Sequence, residues 1–286
     1  MIAQRTSATR GGRCPAPSRS SPRPMATRPA SRWSDGGAGP LALVETVATE
    51  CPVALVYNEV SHAVMMASPV DLEDMGVGFT LAENIAGLAE IGAVEVLDMV
   101  LGFEVRIAIP AERAAALEQR RRSMAGGTAC GLCGVISLEQ AARRLPHVES
   151  TSRWSAGAIR AAMANLPPWQ SVHRQTGAVH AAALASPRGE ILLVREDVGR
   201  HNALDKLIGA AARAGLDPAA TLVLLTSRCS TEMVQKAVTA GYSAVVTISG
   251  PTSLAIELAE EAGLSLVAFA RGSQFTVYTH PDRIEP

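Results

Sequence analysis

The chain of 286 residues has few aromatic side chains, at 3 % of the sequence, and no long apolar run. The scarcity of aromatic rings argues against a base-stacking surface, so we expect no nucleic-acid partner. No window approaches the roughly 20 apolar residues that a spanning helix needs, so we expect no membrane association. No apolar segment follows the N-terminal arginines, so we expect no signal peptide and a cytoplasmic location.

Cysteine is also scarce, and its distribution is informative. Five cysteines are scattered along the chain, at positions 14, 51, 130, 133 and 229. An odd and widely spaced set is not typical of a secreted disulfide framework, which favours a reducing compartment. The length is sufficient for one large domain or two modest ones.

Acidic residues are nearly absent from the N-terminal segment. Residues 1–40 contain seven arginines and one acid, Asp35, among many prolines, serines and glycines, which leaves 19 basic and 26 acidic residues in 41–286. Such a segment cannot bury an apolar core. We therefore predict a disordered basic head over residues 1–40.

Apolar patterning divides the remainder into two parts. Residues 41–150 mix alternating strand patterns with helices that begin near Asp71 and Ala111, which predicts an α+β domain ending in a cysteine-containing loop. In residues 151–286 short apolar strands alternate with helices, which predicts an α/β/α layered sheet. Gly215, Gly241 and Gly263 lie where helix C-caps belong.

Polar residues gather where the strands of the second part end. Arg195 and Arg200 follow one strand, Arg228 the next, and Arg271 the last, with Thr252 and Ser253 in the loop between. Helix N-termini and arginines bind phosphate, so together these loops favour a large phosphate-bearing ligand. The alternative is that the hydroxyl residues are ordinary helix N-caps.

Cys130-Gly-Leu-Cys133-Gly is the most distinctive short motif. Two thiols at this spacing suit a dithiol/disulfide couple, half of a metal site, or a nucleophilic sulfur that carries cargo. A zinc deaminase needs H-x-E and a later P-C-x-x-C, which the residues after His180 do not supply. A zinc module needs a second ligand pair, so we expect no resident metal. A thioredoxin-like protein would have the motif early in the chain, at a helix start.

Several segments together resemble the formate dehydrogenase accessory sulfurtransferase (FdhD) family, over about residues 44–284. The resemblance is carried by SPVDLED at 68–74, the CGLCG loop, TGAVHAAAL at 176–184, REDVGRHNALDKLIG at 195–209, PTSLA at 251–255 and YTHP at 278–281. The long REDVGRHNALDK motif is the most specific of these.

The resemblance implies a sulfur carrier. Members of the family take persulfide sulfur from a cysteine desulfurase and transfer it to the molybdenum or tungsten bis-pyranopterin guanine dinucleotide cofactor of formate dehydrogenase. It also implies a homodimer and a cytidine-deaminase-like fold for the second part. Cys130 corresponds to the persulfide position, with Cys133 as its partner. The alternative is a chaperone that holds the cofactor without transferring sulfur.

The resemblance also assigns a cofactor-binding segment, Phe269-Ala270-Arg271-Gly272-Ser273-Gln274. To it we add, as candidate binding residues, the side chains of the other strand-end loops: Arg195, Arg200, His201, Arg228, Thr252, Ser253 and His180. The two histidines are candidates for proton transfer or phosphate contact, with a structural role as the alternative. The chain departs from the family pattern at four positions: Ala178, Cys229, Gly250 and Gln274. For Cys229 we expect a small buried side chain.

Overall fold

The computed structural model describes residues 23–35, 39–125 and 145–286, and for 120–125 the backbone only. Its N-terminal part contains a two-stranded ribbon, a four-stranded sheet and two helices. The ribbon pairs β1 (Met25–Arg32) with β2 (Leu41–Ala48). The sheet contains β3 (Cys51–Tyr57), β4 (Val60–Ala67), β5 (Val94–Met99) and β6 (Gly102–Ile107) in the order β4-β3-β6-β5. The helices are α1 (Leu72–Ala82) and α2 (Ala111–Ala125).

The strand β1 corrects the prediction that residues 1–40 lack ordered structure. Met25–Arg32 runs antiparallel to β2 along its whole length, and Arg32 forms an ion pair with Glu45 of β2. The backbone hydrogen bonds of the ribbon come from a partner strand outside the basic segment. The composition of residues 1–40 alone therefore could not reveal it.

The C-terminal part is built around a six-stranded mixed sheet. Its strands are β8 (His180–Ala185), β9 (Ile191–Asp197), β10 (Leu222–Leu225), β11 (Ala244–Thr247), β12 (Ser265–Arg271) and β13 (Gln274–Val277), in the order β13-β12-β11-β10-β8-β9. The strands β10, β11 and β12 are parallel, and β8 is antiparallel to both of its neighbours. A small bridge pairs β7 (Trp154–Ser155) with β14 (Ile284–Glu285).

Helices cover both faces of this sheet. The helices are α3 (Ala156–Asn165), α4 (His173–Thr176), α5 (Arg200–Arg213), α6 (Thr231–Thr239) and α7 (Ser253–Glu261). Leu204, Met233 and Ala255 bring α5, α6 and α7 into one buried cluster with the sheet, while Ile159 of α3 belongs to the cluster on the other face. The structure is thus a mixed α/β protein whose second part is layered as predicted. A cytidine-deaminase-like arrangement stays a prediction.

The glycines expected to end helices do so. Gly215, Gly241 and Gly263 have φ values of +67°, +87° and +76°, in the left-handed region where a side chain is unfavourable. Each lies just beyond α5, α6 or α7 and returns the chain to the sheet.

Helix α1 joins the two parts by crossing α5 at very short range. A Cβ atom added to Gly78 would lie 1.7 Å from the carbonyl oxygen of Asp205, and one added to Gly209 would lie 1.9 Å from that of Asp74. Only glycine permits such a backbone approach. The crossing fixes the N-terminal sheet against the helix that begins at the candidate site.

Candidate functional site

One edge of the six-stranded sheet collects most of the predicted binding residues. His180, at the start of β8, pairs with Asp197 at the end of β9, and the amide of Thr226 donates to Ala181. On the other side, the amide of Phe269 donates to the carbonyl of Ser249 at 3.2 Å. The loops that follow β9, β10, β11 and β12 therefore meet at the same edge. This is where open α/β sheets bind their ligands.

Three helices begin at this edge, each directly after a strand. The residues preceding α5 and α6, Gly199 and Ser230, accept no side-chain capping bond. Thr252 is the N-cap of α7, since its Oγ1 accepts from the amide of Ala255 at 3.4 Å, so the ordinary N-cap interpretation holds for this residue. Ser253 is the exposed first residue of α7. Free amides at helix N-termini favour bound anions.

Arginines supply positive charge among these helix ends. Arg228 is exposed in the loop after β10, and Arg271, also exposed, donates from Nε to the carbonyl oxygen of Ile248 at 2.7 Å. Arg200 begins α5, and among the described residues no group accepts a hydrogen bond from its buried Nε. A buried guanidinium nitrogen that lacks an acceptor is costly. The edge therefore has a donor to offer to an anionic ligand.

Two histidines accompany these arginines. Burial, and then the positive charge of Arg200, lower the pKa of His180, so its imidazole is neutral at neutral pH. His201 lies in the first turn of α5, and its Nε2 is 2.8 Å from Oε2 of Glu232. The hydrogen bond from His201 is the main cause that lowers the pKa of Glu232, which is therefore ionised.

The segment at the end of β12 has an unusual backbone. Phe269 has a φ of +51°, and the pairing of β12 with β13 is irregular between Ala268 and Arg271. Its ring packs on Gly250, where an added Cβ would lie 2.7 Å from Cζ of the ring. Phe269 remains 46 % exposed despite this contact. Gly250, one of the four departures from the family pattern, thus leaves the space that the tip of this ring occupies.

Two open clefts lie beside this segment. One, of about 480 Å³, is lined by Arg160, Phe269, Ser273, Gln274, Phe275 and Thr276. The other, of about 380 Å³, is lined by Gln170, His173, Gly177, Ala178, Val179, His180, Thr226 and Ile248. Both fall in the size range of small-ligand pockets, roughly 300–1,000 Å³.

Residues of the predicted binding segment differ in exposure. Ala270 is buried in the core, while Gly272, with a φ of +56°, forms an exposed turn.

Arg195 is placed differently from the other predicted binding residues. Its Nη2 lies 2.8 Å from Oδ2 of Asp74 and its Nε lies 3.7 Å from Asp71, so its guanidinium is engaged by acids of the N-terminal part. Arg213 of α5 contacts the same Asp74. The contacts of Arg195 are those of a residue that joins the two parts of the molecule, and a binding role for it stays a prediction.

Much of the motif REDVGRHNALDK is likewise occupied in joining the two parts. Lys206 and Asp197, both with 0 % exposed side chains, form an ion pair at 2.6 Å. Lys206 also donates to the carbonyl oxygen of Ser68, and the amide of Ser68 donates to Asp197. The motif therefore holds the N-terminal strand end beside the start of α5. Arg200 and His201 differ, since they form the first turn of α5 at the candidate site.

A second buried charge cluster extends this joint. Lys236 of α6 contacts Asp205 of α5 at 2.8 Å and Glu83, just after α1, at 2.8 Å. Its ammonium also lies 5.0 Å from the ring centre of Phe79, within cation–π range. Burial raises the pKa of Asp205 to about 6. The ammonium group of Lys236 on α6 thus links this helix to α5 and to the end of α1.

The predicted catalytic pair, Cys130 and Cys133, lies outside the described residues. The two described cysteines are poor nucleophiles. Cys229 is fully buried, which confirms the expected small core side chain, and burial raises its pKa to about 12. Cys51 is half-buried, and burial raises its pKa to about 11. Among the described residues no group of three or more histidine, cysteine or acidic side chains is arranged to hold a metal ion.

Some residues at this edge were not singled out from the sequence. Arg160 reaches the larger cleft from α3, and Glu232 contacts His201 from α6. Gln170, His173 and Thr226 line the smaller cleft. Gln170 and His173 directly precede the TGAVHAAAL segment, and Thr226 and Glu232 lie near Arg228, but only the fold shows that these residues share one edge. Glu232 alone carried a sequence signal for the site, because it is a polar residue in the first turn of the helix that follows a strand.

The fold and this edge define a layered α/β protein with a candidate anion-binding site at the carboxyl ends of its strands. The chain matches the model of the FdhD/NarQ family over residues 48–285. It is 44 % identical to the sulfur carrier protein FdhD of Bordetella petrii, over 94 % of this chain and 96 % of that protein. It is 49 % identical to the sulfur carrier protein FdhD of Xanthomonas euvesicatoria, over 84 % of this chain and 86 % of that protein. The chain therefore belongs to the FdhD/NarQ family.

A solved structure supports the fold. A crystal structure described as that of a formate dehydrogenase accessory protein from Desulfotalea psychrophila matches with a TM-score of 0.71 and 24 % identity. It covers 92 % of this chain and 100 % of that one. No helix among the described residues is both long and apolar enough to cross a bilayer.

Proposed function

We propose that this chain is a sulfur carrier for the maturation of formate dehydrogenase. Cys130 accepts persulfide sulfur from a cysteine desulfurase and delivers it to the molybdenum bis-pyranopterin guanine dinucleotide cofactor. Relatives that are 44 % and 49 % identical over most of their length are named sulfur carrier proteins, which supports the carrier role. We further propose that the protein acts in the cytoplasm as a homodimer.

The observation that carries the cofactor part of this proposal is the convergence of cations at one sheet edge. The buried Nε of Arg200, which has no partner in the part of the chain that the structure describes, lies at the start of α5, where the next residue, His201, contacts Glu232 in the first turn of α6. A guanine dinucleotide carries pyrophosphate groups, which helix N-termini and guanidinium groups bind well. The residues present therefore fit such a ligand, with the cofactor as the substrate that receives sulfur.

The two clefts suit the rest of a nucleotide. Phe269 presents an exposed ring to the larger cleft, and rings of this kind stack on bases. Ser273 and Gln274 add hydrogen-bonding groups to the same cleft. We propose that this cleft receives a guanosine end of the ligand, with Arg160 as a further phosphate contact.

The assignment of the carrier thiol rests on the motif and on the state of the two cysteines that the structure describes. Sulfur transfer needs a thiolate, and a thiol with a pKa of about 11 or 12 is almost entirely protonated at neutral pH. Neither Cys51 nor Cys229 therefore suits the task. Cys130, flanked by glycine and followed by Cys133, is the residue that we propose to carry the persulfide, and Cys133 is its resolving partner.

Intact-mass measurement tests the carrier role. After incubation with a cysteine desulfurase and cysteine, we expect the protein to gain one sulfur atom on Cys130. The variant Cys130→Ala should gain none, while the matched control Cys51→Ala should be loaded like the wild type. Absence of the mass gain, together with full activation of formate dehydrogenase by Cys130→Ala, would show a cofactor-binding chaperone instead.

A further inference from the structure

The smaller of the two clefts, of about 380 Å³, is lined by polar side chains whose hydrogen bonding is incomplete. Gln170 lines it although the residue is only 7 % exposed, and its side-chain amide has no hydrogen-bond partner among the described residues. The half-buried imidazole of His180 likewise has none in the described part of the chain. Because buried polar groups are normally hydrogen-bonded, both side chains are suited to contact a polar ligand in the cleft.

A second imidazole, that of His173, belongs to the wall of the same cleft. Its Nδ1 lies 2.9 Å from the carbonyl oxygen of Val179, and a carbonyl oxygen only accepts, so Nδ1 carries the hydrogen in this contact. The backbone amide of His173 donates to the carboxylate of Glu196 at 2.8 Å. These two contacts fix the helix α4 and the ring of His173 at the mouth of the cleft.

The charges around His180 are mostly positive. The groups whose charge acts on its ring are Arg200 and His201 at the start of α5, His173 on α4, and Asp197 at the end of β9. All but Asp197 disfavour the charged form of the imidazole. Asp197 is itself paired with the buried ammonium of Lys206 at 2.6 Å.

The cleft itself carries no negative charge on the side chains that the structure describes. Its lining residues include two histidines, a glutamine and a threonine but no acid. Glu196 is engaged elsewhere, because its carboxylate accepts from the amides of Val172 and His173 and from the hydroxyl of Ser171. A cleft with hydrogen-bond donors, no acid and a guanidinium close to one wall favours an anion as its occupant.

We propose that the smaller cleft binds a phosphate-type anion and that this binding is coupled to protonation of His180. The inference goes beyond the proposed function, because it concerns a cleft other than the one assigned to the guanosine end of the cofactor and needs no sulfur transfer. Free phosphate and the phosphate group of a nucleotide share the required chemistry.

The coupling follows from what each form of the imidazole can donate. A charged imidazole donates from both ring nitrogens, whereas a neutral one donates from a single nitrogen and accepts at the other. A dianion only accepts, so it binds the charged ring more tightly. Burial, and then Arg200, lower the pKa of His180 in the free protein, so the ring is neutral at neutral pH and takes up a proton when the anion binds. Because coupling is reciprocal, protonation of His180 strengthens binding by the same factor.

Sulfate is the probe for this coupling in the full-length protein. It stays a dianion over the range in which a histidine titrates, whereas a phosphate group itself takes up a proton there. Isothermal titration calorimetry at constant ionic strength, between about pH 5 and 8, gives the affinity. Repetition in buffers of different ionisation enthalpy gives the number of protons taken up.

The variant His180→Gln is compared with the matched control His147→Gln. His147 is exposed, and its ring contacts the carbonyl oxygen of Glu261 at the C-terminal end of α7, away from the sheet edge. A further variant, Gln170→Ala, removes a hydrogen-bonding group from the cleft and keeps His180. Circular dichroism verifies that each variant is folded.

We expect sulfate to bind the wild type about 10-fold or more tightly at pH 5 than at pH 8, which corresponds to a rise of about one unit or more in the pKa of His180 on binding. His180→Gln should bind sulfate with little dependence on pH, while His147→Gln should follow the wild type. Gln170→Ala should weaken binding about two- to ten-fold at every pH and leave the pH dependence unchanged.

Competition distinguishes the two sources of the anion. Displacement of sulfate by guanosine diphosphate, but not by guanosine, would support the phosphate group of a nucleotide as the occupant. Simultaneous binding of sulfate and guanosine diphosphate would support a free anion as the occupant.

Three results would overturn the inference. Sulfate binding to the wild type that does not change with pH would remove the coupling, and a pH dependence that survives in His180→Gln would assign it to another group. An unchanged affinity in Gln170→Ala would place the anion outside the cleft, and this result does not depend on whether His180→Gln folds. None of these measurements involves sulfur transfer, so the proposed function is tested separately by the mass gain on Cys130.

Discussion

Replacement of Lys206 by methionine should destabilise the protein strongly. The ammonium of Lys206 lies 2.6 Å from Asp197 and 2.9 Å from the carbonyl oxygen of Ser68, and neither side chain of the ion pair is exposed. In Lys206→Met the Asp197 carboxylate stays buried without its cation. Such an uncompensated charge costs about 3–5 kcal/mol, from a total stability of about 5–15 kcal/mol.

The remaining donors to Asp197 do not replace the cation. Its carboxylate still accepts from the amides of Ser68 and Gly199 and from the side chain of Asn202, at 2.8–3.0 Å. These neutral groups satisfy hydrogen bonds but carry no charge. A loss of 3–5 kcal/mol corresponds to a fall in the unfolding temperature of about 6–20 °C for a chain of this size.

Thermal and urea unfolding, followed by circular dichroism, measure this effect. The matched control is Arg113→Met, which breaks an exposed ion pair. In that pair the side chain of Arg113 is 48 % exposed and that of Glu90 is 35 % exposed. Exposed pairs of this kind contribute about 0–1 kcal/mol. The double variant Asp197→Asn, Lys206→Met should recover part of the loss, because no charge is then left unpaired. A fall in unfolding temperature for Lys206→Met no larger than for the control would refute the reasoning.

Three further predictions follow from the packing and the electrostatics. Gly209→Ala should lower the free energy of unfolding by about 1–3 kcal/mol or more, because its Cβ would lie 1.9 Å from a carbonyl oxygen. The control Gly157→Ala, on the exposed face of α3, should leave the free energy of unfolding nearly unchanged or raise it slightly. Urea titration of both variants measures the difference. In the native protein at pH 8, Cys229 should react with iodoacetamide far more slowly than in the urea-unfolded chain, since a pKa of about 12 leaves only about one thiol in 10⁴ ionised; equal rates would contradict its burial. The variant Arg200→Met should raise the pKa of His180 in an NMR titration, because a positive charge that disfavours the imidazolium is removed; a lower or unchanged midpoint would argue against this coupling.

Local sequence patterns were sufficient for the individual elements of the second part. The strands and helices from β8 to β12 follow apolar runs of the lengths expected, and Gly215, Gly241 and Gly263 end helices with positive φ values. These features depend on residues within a few positions of one another. The strand β1 was missed because its hydrogen-bond partner, β2, follows a separate glycine-rich stretch.

The candidate site was only partly predictable, for a similar reason. The arginines and histidines at strand ends could be read from spacing, and Arg200, His201 and Arg271 do lie at one edge. The interaction partners of these side chains could not be predicted from the sequence, because ion pairs such as that of Arg195 with Asp74 join residues 121 positions apart. The motif REDVGRHNALDK contains residues at the candidate site, such as Arg200 and His201, and residues that join the two parts of the molecule. Its buried Lys206 and Asp197 belong to the second group.

Sulfur tracing tests the central claim most directly. The protein is loaded with radiolabelled sulfur from cysteine by a desulfurase, freed of small molecules, and mixed with sulfur-free formate dehydrogenase cofactor and apoenzyme. We predict that the label moves from Cys130 to the cofactor of the enzyme, that formate oxidation appears in proportion, and that Cys130→Ala abolishes both while Cys51→Ala does not. Activation of formate dehydrogenase without transfer of label would contradict the account.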